Sequence, residues 1–272
     1  MGNDLREKVA KLKSILQKMD SVLVAYSGGV DSTFLLKIAC DVLGKDKVLA
    51  VTADSATYPK SELNFAKKMA ARFGAKHLII KTNELHNPEF TNNPVNRCYY
   101  CKRELFSQLK KIARSRKMNY ICDAAQISDN ADFRPGDKAK KDLGIRSPLR
   151  EVGFTKEEIR KLSRKFKLPT WNMPSQACLA SRFPYGTKIT ETLLARVEKA
   201  ETLLKNLGFS QVRVRHYDSM ARIEVERQKI PLLVSKLKGK QLARIKNIGY
   251  KYITVDLEGY RTGSLNEEMR KI

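Results

Sequence analysis

Residues 22–44 constrain the fold most, because they set a buried strand, a glycine-rich turn and a helix in immediate succession. Val22-Leu23-Val24-Ala25 is a short apolar run that reads as a buried strand. Ser27-Gly28-Gly29-Val30-Asp31-Ser32 follows, and then Phe34, Leu35, Ile38, Ala39 and Val42 recur at helical spacing until Gly44 closes the helix. Two glycines let backbone N–H groups face a ligand with no Cβ between, and the helix N-terminus adds unpaired donors and partial positive charge. An ordinary strand-to-helix turn with Ser or Asp as N-cap would use the same residue types. Two serines, two glycines and an aspartate within six residues favour a phosphate cradle instead, made of Ser27, Gly28, Gly29, Asp31 and Ser32. No Gly-Lys-Ser/Thr follows, so this is not the Walker loop.

The remaining pattern extends the alternation. Strands are expected at 47–53, 76–80 and 120–124, and helices at 60–73 and 99–117, with a polar loop at 83–97 and a polar loop or short helix at 126–144. Thr155 and Glu158 form a capping box for a helix ending before Pro169. Alternating strands and helices imply an α/β fold with a doubly wound parallel sheet, and ligands bind such sheets at the carboxyl ends of the strands. The pattern breaks at WNMPSQACLASRFPYGT. Beyond it a helix at 190–207, strands at 211–217 and 221–226, a helix at 229–247 and a strand at 250–257 predict a smaller α+β domain. The expected organisation is 1–170 for nucleotide binding, 171–187 as a linker, and 188–272 as the C-terminal domain.

The 272 residues suffice for a large core or two smaller ones. No apolar run approaches the roughly 20 residues that span a bilayer. The first helix, with Leu5, Val9, Leu12, Ile15, Leu16 and Met19 on one side, lacks a continuous apolar signal core, so the cytoplasm is the expected compartment. With 53 Lys and Arg against 29 Asp and Glu, the net charge of +24 suits polyanions, tRNA or phosphate-rich small molecules. The lysines are scattered, with no basic tail and no aromatic-interleaved cluster, which does not favour nucleic acid.

The five cysteines, an odd count, argue against a disulfide framework. Cys40 lies in a helix stripe and Cys122 in a strand, as core thiols do. Cys98-Tyr-Tyr-Cys101 opens a helix, where two thiolates can hold a metal or cluster or act as a redox pair. His77, His86 and His216 make no obvious zinc partner set. Cys178 stands in the irregular linker. Cys98, Cys101 and Cys178 together would leave one iron of a cubane cluster without a protein ligand, open to an exogenous sulfide. Arg213 and Arg215 share one face of a strand, to grip a phosphate or to face solvent. Arg182 beside Cys178 is placed to hold a substrate carboxylate or phosphate. Asp129, Asp132 and Arg134 either face ATP and its magnesium or cap turns. Trp171 reads as packing.

The hexapeptide SGGVDS resembles the pyrophosphate loop (PP-loop) of the adenine-nucleotide α-hydrolase superfamily, whose members split ATP between the α- and β-phosphates and form adenylates. The segments ACLASRFPYGTKIT, AETLLKNLGF, VRVRHYDSMARIEV and DAAQISDNADFRPG, with nearly the whole chain from 10 to 265, are similar to the LarE family of ATP-dependent sulfur transferases. That resemblance implies an enzyme that adenylates a carboxylate of a pyridinium dicarboxylate mononucleotide and makes the thiocarboxylate of the nickel-pincer nucleotide. It implies ATP, Mg2+, a small-molecule nucleotide substrate, a sulfur donor and a homo-oligomer. Some LarE members sacrifice a single cysteine at the position of Cys178. Cys98 and Cys101 instead match the type in which three cysteines bind a [4Fe-4S] cluster carrying a labile sulfide. The resemblance also places Glu201, Arg213 and Arg215 in an anion or metal site near the reactive cysteine. Cluster-dependent tRNA thiolases are the alternative, since they share the cysteine positions; an ammonia-using synthetase or a non-catalytic nucleotide sensor would leave the thiols idle.

Overall fold

A computed structural model describes residues 3–131, 135–174 and 177–271. Arg134 and Asp132 lie outside the described residues. The chain forms two compact units, each discontinuous in sequence: residues 1–84 with 96–176, and residues 85–95 with 177–272.

The first unit runs α1 (Asn3–Met19), β1 (Val22–Ala25), α2 (Val30–Leu43), β2 (Val48–Asp54), α3 (Lys60–Arg72) and β3 (Lys76–Lys81). After the excursion through the one-turn α4 (Pro88–Thr91) of the second unit, it continues with α5 (Arg97–Ser115), β4 (Tyr120–Cys122), α6 (Gly136–Leu143), α7 (Pro148–Val152) and α8 (Lys156–Lys165). The strands pair in parallel in the order β3-β2-β1-β4, with Val22 opposite Val48 on one side and Tyr120 on the other. Successive side chains point to opposite faces. Val22 and Val24 join the core made with Leu12 and Leu16 of α1, Phe34 of α2 and Leu162 of α8. Leu23 faces the other way, to Phe106, Leu109 and Ala113 of α5. Both faces are therefore covered, which explains why β1 is apolar throughout rather than alternating. Because the chain moves from β1 to β2 on one side and later to β4 on the other, the order reverses at β1. The crevice beyond the strand ends at that switch is where such sheets bind ligands.

The second unit contains α9 (Glu191–Asn206), β5 (Val212–Tyr217), β6 (Met220–Val225), α10 (Ile230–Lys236), α11 (Gly239–Asn247) and β7 (Tyr252–Val255). β5 and β6 form a tight antiparallel hairpin, with Asp218 at φ +47°, and β7 adds to β6 in parallel. Ala200 and Leu204 of α9 pack on Val212, Val214 and Ile223 of this mixed sheet.

Two features differ from the sequence reading. The helix expected at 229–247 is two helices, because Lys238 is extended and Gly239 takes φ +48°, which rephases Ile245 onto the core that Leu233 already reaches. The polar stretch 83–97 is not a plain loop of the first domain. Asn93, fully buried, donates its side-chain N–H to the carbonyl of Pro184 at 2.7 Å, and the Ile189 N–H donates to the Thr91 carbonyl at 2.7 Å, which bind the segment into the second unit.

Candidate active site

The first centre is the turn after β1. Ser27 and Ser32 hydroxyls lie 3.0 Å apart, and the Ser27 N–H donates to Ser32 Oγ at 3.3 Å. Tyr58 donates its hydroxyl to the Ser27 carbonyl. Helix α2 starts at Gly29 with no side-chain cap. Its first amides are thus left for a ligand, the arrangement that suits phosphate oxygens. Gly28 has φ +71°, and a Cβ there would lie 2.8 Å from the Ala66 Cβ of α3. The glycine is required twice, by the left-handed backbone and by the close approach of α3. Gly28→Ala should displace the loop, weakening ATP binding at least ~10-fold by isothermal titration and lowering the thermal transition as well.

Asp31 is held from far along the chain. Lys156, at the first position of α8, meets its Oδ2 at 2.6 Å, while Oδ1 is buried with no hydrogen-bond partner. Burial pushes the Asp31 carboxyl up from its ordinary value, against the charge of Lys156, and Asp129 adds to the rise. A buried carboxylate oxygen without a partner, beside a glycine cradle and an uncapped helix, fits Mg2+ and the phosphates of ATP. At the end of β4, Lys140 bridges Asp123 at 3.0 Å and Asp137 at 2.8 Å, and Arg150 also reaches Asp137 at 2.8 Å. Asp129 accepts from the Gln126 N–H and side chain at 3.1 and 2.9 Å, as a turn cap does. Arg164 lies 5.0 Å over Trp171, which is a packing contact.

Cys98 and Cys101 belong to the first unit, near the start of α5, whose first turn holds no acidic residue. Both are half-buried. Cys122 is buried in β4, and burial pushes its thiol well up; Cys40 is pushed up to about 11 for the same reason. Those two are core thiols.

Cys178 belongs to the second unit and is exposed, at the start of a one-turn helix Leu179–Arg182. The turn is clamped from beneath. Arg182, 2% exposed, donates Nε and Nη2 to the two oxygens of Glu201 at 2.7 and 3.0 Å. Its Nη1 donates to the carbonyls of Ala177 and Cys178 at 2.9 and 3.1 Å and to Ser181 Oγ at 2.8 Å. Arg215 repeats the device, with Nε and Nη2 each 2.8 Å from Glu224 and Nη1 on the Ser181 carbonyl at 2.6 Å. Arg213 is buried over the Tyr260 ring at 5.3 Å. Burial and then the neighbouring Arg182 charge lower its pKa, partly offset by Glu201. Among the described residues, Arg182, Arg213 and Arg215 thus gather with Glu201 and Glu224 under this turn.

Three expectations change in consequence. Arg213 and Arg215 are not a solvated strand face. Arg182 does not present its guanidinium to a substrate but ties down the Cys178 backbone, as a positioning residue. Glu201, put forward as a metal ligand, spends one oxygen on both Arg182 and the Val214 N–H (3.1 Å) and the other on Arg182, so its carboxylate serves the ion pair. Among the described residues no three His, Cys, Asp or Glu side chains gather as a metal group. The residues missed from sequence are Lys156, Tyr58 and Lys140; only the lysine at the head of the capped helix α8 carried a signal, as a cation out of place at a positive helix end.

Comparison with known proteins now bears on these centres. The NAD synthase family matches residues 4–122, which carry the cradle and the whole four-stranded sheet. The chain is 44% identical over 98% of its length to an uncharacterised Synechocystis protein, all of which is covered. It is 37% identical to the pyridinium-3,5-bisthiocarboxylic acid mononucleotide synthase of Lactiplantibacillus plantarum, covering 98% of this chain and 96% of that one. The chain belongs to the LarE family. This LarE member is also 27% identical to an argininosuccinate synthase of Brevibacillus brevis, over 55% of this chain and 39% of that one. Among the described residues of this LarE member no helix is long and apolar enough to cross a membrane.

Proposed function

We propose that the chain is an ATP-dependent sulfurtransferase that makes pyridinium-3,5-bisthiocarboxylic acid mononucleotide from the corresponding dicarboxylate, for the nickel-pincer nucleotide. The observation that carries this reading is near-complete alignment with the Lactiplantibacillus synthase, joined to a PP-loop cradle in which Asp31 keeps one oxygen unpartnered.

The reaction has two displacements. A substrate carboxylate oxygen attacks the α-phosphorus and pyrophosphate leaves; a sulfur nucleophile then attacks the acyl carbon and AMP leaves with the electron pair. Ser27, Gly28, Gly29 and Ser32 hold the phosphates, and Asp31 would hold the Mg2+ that shields charge on the departing pyrophosphate. The Lys156 charge opposes the rise that burial imposes on the Asp31 carboxyl. Arg213 and Arg215, below the Cys178 turn, favour the substrate's anionic groups. Cys98, Cys101 and Cys178 are the thiols that would hold a [4Fe-4S] cluster, which supplies a sulfide at the iron lacking a protein ligand. Donor chemistry and number support that assignment.

The charge of +24 favours the second reading, thiolation of tRNA. Anaerobically purified protein should release pyrophosphate with the pyridinium dicarboxylate mononucleotide and not with tRNA, and should carry about four irons per chain. Turnover with tRNA alone would replace the substrate assignment. An iron-free, colourless protein after competent reconstitution would remove the cluster.

A further inference from the structure

A groove between α9 and α11 plays no part in the chemistry above. Its walls are two helical stripes: Thr192, Ala195, Arg196 and Lys199 on one side, Arg244, Asn247 and Ile248 on the other. It encloses about 410 Å³. That lies in the roughly 300–1,000 Å³ range of small-ligand sites, near its lower end.

Three cations line it. Among the described residues none of the three forms an ion pair with a carboxylate. Arg196 is half-buried and held in position. Its guanidinium lies 5.7 Å from the centre of the buried Tyr250 ring and against the backbone of Gly249, where a Cβ would come 3.1 Å from Nε. A side chain at 249 would push the guanidinium away. The positive field reaches inward, since burial first and then Arg196 lower the pKa of His216 behind Tyr250. Arg244, exposed at the other wall, donates one N–H to Gln241 at 3.3 Å. Gathering like charges in one concavity is costly unless an anion neutralises them, and guanidinium forks match a phosphate's oxygens. Thr192 and Asn247 add neutral hydrogen-bonding groups, and Ala195 and Ile248 an apolar floor.

We propose that this groove binds a phosphate monoester of mononucleotide size, its phosphate held by Arg196, Lys199 and Arg244 and its neutral part resting on Ala195, Ile248 and Asn247. The proposal is independent of the sulfur-transfer reading, because binding is measured without turnover. Isothermal titration of the full chain with AMP should show a second AMP per chain beyond the one at the PP-loop. The triple variant Arg196→Gln/Lys199→Gln/Arg244→Gln should lose that second site, its affinity falling at least ~10-fold, with the first unchanged. Lys240→Gln/Lys246→Gln/Lys251→Gln removes the same charge from exposed positions outside the groove and should keep both sites. Adenosine should not occupy the groove, and inorganic phosphate should compete for it. The proposal is overturned if the wild-type chain binds only one AMP, or if the two triple variants lose binding equally. A 20-nucleotide RNA bound in a groove-dependent way, with AMP stoichiometry unaffected, would give the groove to nucleic acid and also overturn it.

Discussion

Cys178→Ala should abolish thiocarboxylate formation while substrate-dependent pyrophosphate release stays within about two-fold of the parent chain. The separation is expected because the adenylation groups Ser27, Gly28, Asp31 and Lys156 all belong to the first unit, whereas Cys178 belongs to the second. Trapped acyl-adenylate, detected by quenched-flow mass spectrometry, is the positive signature. Loss of both half-reactions would mean that Cys178 also organises ATP binding. Cys98→Ala and Cys101→Ala distinguish two sulfur sources. If a cluster delivers sulfur, each should stop multiple turnover and remove bound iron. If Cys178 surrenders its own sulfur, both variants complete one turnover and leave dehydroalanine at position 178.

Glu201→Gln should lower the stability of the second unit by about 3–5 kcal/mol, the usual cost of stranding one member of a buried ion pair. Arg182 would keep its charge at 2% exposure with its bidentate partner neutralised. The only tryptophan, Trp171, reports on the first unit, so hydrogen exchange of α9 and β5 amides is the better measurement. The double variant Arg182→Met/Glu201→Leu should recover most of the stability but not the activity, since the Cys178 carbonyl would keep only its Ser181 donors and the Ala177 carbonyl would lose its Arg182 donor. The pH dependence follows from the same pair. Burial alone would raise the Glu201 carboxyl, but the charge and hydrogen bonds of Arg182, then Arg213 and the Val214 amide, hold it below the ordinary value. A carboxylate depressed in the folded state contributes its stabilisation above the unfolded pKa, near 4.3, and loses it as pH falls through the folded value. The parent chain should therefore lose protection in α9 and β5 on acidification, and Glu201→Gln should flatten that dependence.

The sequence carried the first centre well because its signals are local. The apolar run 22–25, the glycine pair and the helix to Gly44 sit within one supersecondary unit, and the capping box of Thr155 and Glu158 forms as its spacing implies. What escaped depends on residues that meet only after folding. Lys156 finds Asp31 across 125 positions. Period-2 alternation put Arg213 and Arg215 on one face, but their burial needs Glu224 from the paired strand and Glu201 from α9. Arg182 looked like a substrate ligand because proximity in sequence to Cys178 cannot reveal that its donors turn inward. The break at Lys238-Gly239 was hidden because both halves keep helical spacing.

The excursion of residues 85–95 has a consequence for how the chain can be cut and connected. The polypeptide passes between the two units three times, at 84/85, 95/96 and 176/177. No single cleavage therefore yields either half whole: a fragment beginning at 177 lacks the strap whose Thr91 carbonyl and Asn93 side chain tie down 184–189. The cysteines lie against these passages, Cys98 three residues beyond the second and Cys178 two beyond the third. Cys98 and Cys178 thus each stand within three residues of a covalent seam. Grafting the second unit onto another scaffold would require transplanting two separate lengths of chain, not one.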